Sequence, residues 1–230
     1  MKILQWTPTA SGDFSAGVSD QFRWDAVSAF SAGHDVVSKH TSGCVLHQMR
    51  NEIADEAIRD SYDVLFMQDA DNYSPIPGGP LMRMVNTLIE SDAAACFAAI
   101  ECRTIPGKMN VVPCHPGKVH EIEKGGTGMV AINLNKIRPW YADYPGPLFA
   151  PIFLDAKQTK IKMGMDIFFS HLMRTETPHK PAHTLVADCR IPTVHMNAGA
   201  KLEFTGLAEP QSATPTPGAT AGHATPDEER

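Results

Sequence analysis

Residues 62–72 read YDVLFMQDADN, an apolar run that ends in two aspartates, Asp69 and Asp71. A turn rich in proline and glycine follows at residues 74–80. A short, continuous apolar run bounded by turn residues is typical of a strand that is buried on both faces of a parallel sheet. Open α/β sheets bind ligands outside the carboxyl ends of such strands, so the two aspartates are predicted to lie where a ligand binds.

The pair Asp69 and Asp71 has the chemistry of a metal site. Side chains two residues apart on a strand share a face, and two neighbouring carboxylates repel each other unless a cation lies between them. Mg²⁺ or Mn²⁺ prefers oxygen ligands and keeps positions open for the phosphates of a substrate. The alternative interpretation is a helix cap or a solvated turn, because aspartate is common in turns.

Hydrophobic periodicity on either side of this strand predicts an alternation of strands and helices. Strands are predicted at residues 2–8, 35–40, 64–67 and 93–100. Helices are predicted to begin at Ser19, Leu46 and Leu81, between these strands. This order predicts the α/β fold class, with a single Rossmann-like domain whose mainly parallel central sheet is flanked by helices.

The rest of the chain is less regular. In the first helix, Gly33 is predicted as the stop, and the apolar residues that recur at helical spacing are Phe22, Ala26, Val27 and Phe30. A strand at 129–133, a helix from Gly164, and short strands at 183–187 and 191–195 are predicted to follow. Residues 138–151 hold four aromatic side chains and are predicted to form either a sugar-stacking surface or a packed loop.

The length and the net charge of the chain limit the functions that it can have. The chain has 230 residues, of which 43% are hydrophobic, and this favours one domain with one substantial core. The formal net charge of −6 argues against a general nucleic-acid binder or a membrane-surface binder. No apolar run reaches the length of a membrane span, and the first residues turn polar too soon for a signal peptide.

The cysteines and the last residues of the chain indicate its compartment and its boundaries. The five cysteines are scattered and include no Cys-x-x-Cys motif, which favours reduced thiols in a cytoplasmic protein. From about Leu207 the chain is rich in Ala, Thr, Pro and Gly and closes on acidic residues. We therefore expect a folded domain at residues 1–206 and a disordered acidic tail at 207–230.

A series of motifs resembles the ordered landmarks of one enzyme family. In chain order they are Arg50-Asn51, the segments 62–71, 126–132 and 164–169, and Val194-His195. Together they resemble GT-A-fold glycosyltransferases, most nearly the family 2-like group, over roughly residues 1 to 200. The resemblance implies a metal-dependent enzyme of hexosyltransferase type. Its donor would be a nucleoside-diphosphate-sugar, and the sugar would move to a hydroxyl of a carbohydrate or other acceptor.

The resemblance also implies roles for the acidic residues. Asp71 would bind Mn²⁺ or Mg²⁺ directly, Asp69 would contact the ribose or support the metal, and His195 would complete the metal site. Asp166 matches the catalytic base of inverting members, although the family has Glu-Asp where this chain has Met165-Asp166. One carboxylate suffices for a base, so inversion is the expected stereochemistry, with retention left open.

The remaining site residues are expected around the nucleotide. Arg50 and Asn51 match a pair near the nucleotide, and Thr7 and Pro8 at the end of the first strand would approach the nucleoside. The glycines around Gly126 would let a substrate approach the backbone or would form a tight turn. UDP is the expected nucleotide only because uridine is the commonest nucleoside in such enzymes. The chain is short for the family and has no added acceptor domain, which favours a soluble acceptor.

Three other classes of protein remain as alternatives. A sugar nucleotidyltransferase would share the sheet and the metal, but residues 7–17 contain none of the Lys or Arg expected in its phosphate loop. A glycosidase needs two carboxyl groups that flank a sugar, and Asp69 and Asp71 are too close in sequence to do so without Asp166. A catalytically silent nucleotide-sugar-binding module would keep the fold and bind without turnover.

Overall fold

The structure is a computed structural model of the 230-residue chain. It describes residues 1–9, 16–43, 45–102, 107–154, 161–195 and 203–204. The tail predicted to be disordered at 207–230, and the domain boundary that precedes it, lie outside the described residues. No helix in the described part of the chain is both long enough and apolar enough to cross a membrane.

Up to β5 the described residues form helices and strands in the predicted alternating order, and shorter elements follow. The helices are α1 (Ala16–Ser31), α2 (Leu46–Arg59), α3 (Leu81–Glu90), α4 (Leu134–Tyr141) and α5 (Met165–Arg174). The strands of the first half are β1 (Lys2–Thr9), β2 (Asp35–Ser42), β3 (Val64–Gln68), β4 (Asn72–Tyr73) and β5 (Ala95–Ala98). Those of the second half are β6 (Val111–Val112), β7 (Val119–Glu121), β8 (Lys124–Gly125), β9 (Met129–Asn133), β10 (Ile152–Phe153), β11 (Ile161–Met163), β12 (Leu185–Asp188), β13 (Val194–His195) and β14 (Glu203–Phe204).

A seven-stranded sheet forms the centre of the fold, with the strand order β2-β1-β3-β9-β5-β12-β7. Strands β2, β1, β3, β5 and β12 share one direction, while β9 and β7 run against their neighbours. The prediction of an α/β domain with a mainly parallel sheet is therefore confirmed. Strand β9 lies antiparallel between β3 and β5, so its first residues meet the carboxyl ends of those two strands.

Helices cover both faces of the sheet and create two apolar layers. Strand β3 supplies both, because its side chains alternate between the faces: Leu65 and Met67 enter one cluster, and Val64 and Phe66 enter the other. The first cluster includes buried residues of α2, α4 and α5, and the second includes buried residues of α1 and α3. Full burial of side chains of this size contributes roughly 1.5–3 kcal/mol each to the free energy of unfolding.

Helix α1 is present as predicted, but some of the apolar residues that marked it face outward. Val27 and Phe30 are 56% and 78% exposed. The buried positions of the helix are instead Val18, Gln21, Asp25 and Ala29. Apolar periodicity identified the helix without identifying its inner face, because two of the four inward side chains are polar.

A hydrogen-bond network accounts for the buried polar side chains of α1. Gln21 donates to the side-chain oxygen of Gln68 on β3 and accepts from the backbone N–H of Ser74 at 2.6 Å. Asp25 accepts from the backbone N–H of Leu81 at 2.8 Å, at the start of α3. Burial raises the pKa of Asp25 to about 7, although the hydrogen bonds from Leu81 and Gln21 oppose that shift. The network holds the turn at residues 69–80, which carries the candidate site.

Helix α4 occupies part of the segment that was predicted to be an aromatic loop. It begins after Asn133, whose side chain accepts a hydrogen bond from the backbone N–H of Asn135, and this is a standard helix cap. Trp140 on α4 is 4% exposed, and its indole N–H donates to the carbonyl oxygen of Lys136 at 2.9 Å. Of the two alternatives for this segment, the packed arrangement is therefore the one observed at Trp140.

Candidate functional site

A cavity of about 280 Å³ opens at the edge of the sheet where β3 and β5 end and β9 begins. Residues from these three strand ends and from β13 and α5 converge there because of the strand order. The lining residues are Asp69, Asp71, Asn72, Ile100, Glu101, Cys102, Asn110, Gly126, Gly128, Asp166 and His195. Five of the residues proposed from the sequence thus meet at one cavity: Asp69, Asp71, Gly126, Asp166 and His195.

Asp71 and His195 come together through a small sheet. Strand β4 pairs antiparallel with β13, and His195 is the register partner of Asn72, the residue after Asp71. This pairing leaves His195 Nε2 3.8 Å from Asp71 Oδ2. In the described part of the chain, no group of three or more His, Cys, Asp or Glu residues is arranged to hold a metal ion. The arrangement therefore offers one carboxylate and one imidazole, and a metal would need further ligands from a substrate.

Arg50 on α2 links two carboxylates of the site. Its side chain is 1% exposed; Nη2 donates to Asp69 Oδ1 at 2.7 Å, and Nη1 donates to Asp166 Oδ1 at 2.8 Å. Desolvation raises the pKa of Asp69, and the positive charge of Arg50 opposes this rise. One buried guanidinium thus stabilises the two carboxylates side by side.

Asp166 is located in the first turn of α5, after Gly164, which caps the helix. The hydroxyl of Thr127 donates a short hydrogen bond to Asp166 Oδ1, the same oxygen that Arg50 contacts. No hydrogen bond from the described residues reaches Oδ2, and the side chain is 35% exposed at the cavity. The contacts therefore fix the orientation of the carboxylate through one oxygen and leave the other for a ligand.

The loop before β9 approaches the end of β3 very closely. The carbonyl oxygen of Gly128 accepts from the backbone N–H of Asp69 at 2.8 Å and from the side-chain amide of Asn72 at 3.1 Å. A Cβ atom on Gly128 would lie 2.7 Å from that amide nitrogen, so a larger residue here would displace the Asn72 side chain. The neighbouring Gly126 donates its backbone N–H to the carbonyl oxygen of Asn110 at 2.8 Å. These contacts place the Gly-rich loop as one wall of the cavity.

Four of the residues proposed for the nucleotide do not line this cavity. The guanidinium of Arg50 is hydrogen-bonded to the two carboxylates described above. Thr7 and Pro8 are buried within β1. The side chain of Asn51 donates to the carbonyl oxygen of Phe149 at 2.7 Å and accepts from its N–H at 2.9 Å. Asn51 therefore joins α2 to the loop that follows α4, and nucleotide contact by these four residues stays a prediction.

The structure also adds residues to which the sequence motifs assigned no role. Thr127 lies inside the Gly-rich run, but only the fold brings its hydroxyl to Asp166. Glu101 follows the end of β5, and its carboxylate accepts from the backbone N–H of Gly107 at 2.6 Å. The rule that singled out Asp69, a carboxylate directly after a buried strand, would also have identified Glu101.

Comparisons with known proteins concern the fold. No protein-family model and no curated protein sequence matches this chain. The crystal structure of A197 from STIV matches with a TM-score of 0.58 and 15% identity, over 93% of this chain and 100% of that chain. This likeness supports the shared architecture and carries no information on activity.

Two further structures match more distantly. A glycosyltransferase involved in the glycosylation of the major capsid of PBCV-1 has a TM-score of 0.36 and 13% identity, over 59% of this chain and 61% of that chain. HddC from Yersinia pseudotuberculosis has a TM-score of 0.35 and 8% identity, over 84% of this chain and 92% of that chain. Likenesses of this strength carry no argument about function.

Proposed function

We propose that this protein is a metal-dependent glycosyltransferase that moves a sugar from a nucleoside-diphosphate-sugar to an acceptor hydroxyl. The observation that carries the proposal is the cavity at the end of β3, where Asp71 lies beside His195 and Asp69 lies beside Asp166. Asp71 and His195, which are suited to bind a metal, thus line the same cavity as Asp166, which is suited to accept a proton. The order of the sequence motifs, which resembles that of GT-A enzymes, supports the same assignment.

Asp71 and His195 fit a Mn²⁺ or Mg²⁺ ion that is completed by substrate. Such ions commonly take one or two protein ligands together with the phosphates of a nucleotide. When bound, the ion would neutralise negative charge on the departing nucleoside diphosphate. Asp69 has one oxygen occupied by Arg50, so its other oxygen is the one available for the ribose or for support of the metal.

Asp166 is the proposed catalytic base. Arg50 and Thr127 hold its Oδ1, and Oδ2 would accept the proton of the acceptor hydroxyl as that oxygen attacks the anomeric carbon. Its place in the first turn of α5 puts this carboxylate at the positive end of the helix dipole. Attack from the side opposite the leaving group gives inversion of configuration.

The proposal can be tested first by binding. Thermal stability of the purified protein would be measured with UDP, GDP, CDP and ADP, each with and without Mn²⁺. A ligand that binds only the native state at about a hundred times its dissociation constant adds roughly 2.7 kcal/mol to the free energy of unfolding. We expect a metal-dependent rise in melting temperature with one diphosphate, lost in Asp71→Ala and His195→Ala. Indifference to metal, nucleotide and both substitutions would overturn the proposal.

Turnover separates an enzyme from a silent binding module. With the nucleotide identified by binding, release of the nucleoside diphosphate from its sugar conjugates would be followed in wild type and in Asp166→Asn. We expect the variant to keep metal-dependent nucleotide binding and to lose turnover by roughly a hundredfold or more, as is typical for removal of a general base. Equal turnover in both proteins would exclude Asp166 as the base. Formation of a nucleotide-sugar from a nucleoside triphosphate and a sugar phosphate would indicate a nucleotidyltransferase instead.

A further inference from the structure

Two of the five cysteines meet in the folded chain, although they are far apart in the sequence. The sulfurs of Cys114 and Cys189 lie 3.6 Å apart, while 75 residues separate them in the chain. Both are free thiols, and at this distance one sulfhydryl can donate a weak hydrogen bond to the other. A disulfide bond is about 2.05 Å long, so the two sulfurs need to approach each other by roughly 1.5 Å to form one.

Backbone hydrogen bonds hold the two cysteines in this position. The N–H of Cys189 donates to the carbonyl oxygen of Lys118 at 2.9 Å, and the carbonyl oxygen of Cys189 accepts from the N–H of Gly117 at 3.2 Å. The same loop continues into β7, which pairs antiparallel with β12, and Cys189 directly follows β12. The main chain therefore fixes the meeting of the two thiols, and groups held side by side in this way react as if they were highly concentrated.

The two thiols differ in their access to solvent. Cys114 is half-buried and is followed by the exposed residues 115–119, whereas Cys189 is 0% exposed. Burial, together with the contact from Cys114, raises the pKa of the Cys189 thiol to about 12. An oxidant in solution can therefore reach Cys114 first, while Cys189 lies protonated beneath it.

We propose that Cys114 and Cys189 form a thiol modification site, which a small disulfide such as oxidised glutathione converts reversibly into an intramolecular disulfide. The Cys114 thiolate attacks one glutathione sulfur, so a mixed disulfide forms and one glutathione leaves. The Cys189 thiol then loses its proton to water and attacks Cys114 Sγ, which releases the second glutathione. In total the two thiols lose two electrons and two protons, which convert oxidised glutathione into two molecules of glutathione.

The disulfide would connect one wall of the candidate cavity to the central sheet. Cys114 belongs to the segment between β5 and β9, and Asn110 and Gly126 of this segment line the cavity. Asn110 joins the two ends of the segment, because its side chain accepts from the N–H of Ile100 at 2.6 Å and its carbonyl oxygen accepts from the N–H of Gly126 at 2.8 Å. Neither Cys114 nor Cys189 lines the cavity, so the modification site is independent of the proposed activity.

Treatment of the purified full chain with oxidised glutathione, followed by mass spectrometry of unreduced peptides, tests the proposal. We expect a link between Cys114 and Cys189 in wild type, which a dithiol reductant reverses. Cys189→Ala should stop at a glutathione adduct on Cys114, because the second thiol is absent. Cys114→Ser should leave Cys189 unmodified, because that thiol is buried.

Cys102→Ser is the matched control, since Cys102 is half-buried like Cys114 and its loss should leave the link intact. An unmodified wild type, a lasting glutathione adduct on Cys114 in wild type, or a link from Cys114 to a different cysteine would each overturn the proposal. Cys114→Ser changes a half-buried position, so it keeps the test decisive even if Cys189→Ala does not fold.

A second measurement tests the effect of the link on the cavity wall. Oxidised wild type should unfold at a higher urea concentration than reduced wild type, because a cross-link over 75 residues restricts the unfolded chain. Amide hydrogen exchange in residues 110–126 should slow at least severalfold on oxidation. Both differences should vanish in Cys114→Ser treated in the same way. A link that forms without changing either quantity would show that it does not fix the wall.

Discussion

Arg50 Nη1 lies 2.8 Å from Asp166 Oδ1, although 116 residues separate the two in the chain. The same guanidinium contacts Asp69 at 2.7 Å, so α2 joins the end of β3 to the start of α5. Arginine suits this place because its planar group presents several donors at once and keeps its charge when buried. The proposed base Asp166 and the carboxylate of Asp69 are thus both oriented by Arg50, which is itself buried.

Substitution of Arg50 by glutamine should destabilise the fold and the site together. It leaves two carboxylates side by side without a positive charge. Breaking a fully buried ion pair costs about 3–5 kcal/mol, and we expect about 2–3 kcal/mol here because both carboxylates are about a third exposed. Urea denaturation measures the change, and Arg59→Gln on the exposed side of α2 is the control, expected within about 0.5 kcal/mol of wild type. Equal losses in the two variants would contradict the role given to Arg50.

Thr127 should affect turnover more than donor binding, provided that the proposed activity is found. Thr127→Val keeps the shape and removes the hydroxyl that donates to Asp166. A hydrogen bond to a charged group is worth about 1.5–3 kcal/mol, so kcat should fall roughly tenfold or more while KM for the donor changes little. Thr127→Ser retains the hydroxyl and should retain most of kcat. If the serine variant loses as much as the valine variant, packing rather than the hydrogen bond is responsible.

Asn51 should behave as a structural residue. Asn51→Leu leaves the backbone N–H and carbonyl oxygen of Phe149 without their side-chain partners, which should cost about 1–3 kcal/mol. Both ends of the Asn51 amide are already bonded to Phe149, so we expect, against the nucleotide contact expected from the sequence, that the stabilisation produced by a bound nucleotide is the same in the variant as in wild type. Thermal shifts with and without nucleotide measure both quantities. Glu52→Gln, at the exposed neighbouring position, is the control, and a nucleotide effect lost only in Asn51→Leu would show contact with the nucleotide.

Asp25 should make stability depend on pH. Its pKa is raised by burial to about 7 in the folded state, from an ordinary value of 3.8. Between these values the unfolded chain has lost the proton that the folded chain keeps, so the contribution of Asp25 is greatest below pH 3.8 and is lost as the pH rises through about 7. A shift of this size corresponds to about 4 kcal/mol.

Asp25→Asn removes this titration and should keep an oxygen acceptor for the backbone N–H of Leu81. The difference in unfolding free energy between wild type and variant should therefore change steadily between about pH 4 and pH 7. Urea denaturation at a series of pH values measures it. Asp35→Asn, at an exposed position at the start of β2, should give a difference that stays within about 0.5 kcal/mol throughout. A constant difference for Asp25→Asn would rule out the raised pKa.

Local patterns in the sequence were sufficient for the long strands of the central sheet and for helices α1, α2, α3 and α5, but not for α4 or the short strands of the second half. The apolar run at 64–68 predicted a buried strand because burial on both faces removes the polar alternation, and β3 is buried along its whole length. The same reasoning placed Asp69 and Asp71 at a strand end, where they line the cavity. It failed for the inner face of α1, because a hydrogen-bond network buries Gln21 and Asp25 there, and no pattern of hydrophobicity records such a network.

The sequence by itself determined the α/β class, the strand that ends in the acidic pair, and the residue types from which a metal and proton-transfer site can be built. These follow from interactions between near neighbours in the chain, which periodicity and turn chemistry report. Tertiary structure alone decided that Arg50 serves Asp69 and Asp166, that Thr127 reaches Asp166, and that the outer face of α1 is apolar and exposed. Each of these depends on how segments that are distant in the chain meet across the sheet. The spacing of residue types along the chain does not report such contacts.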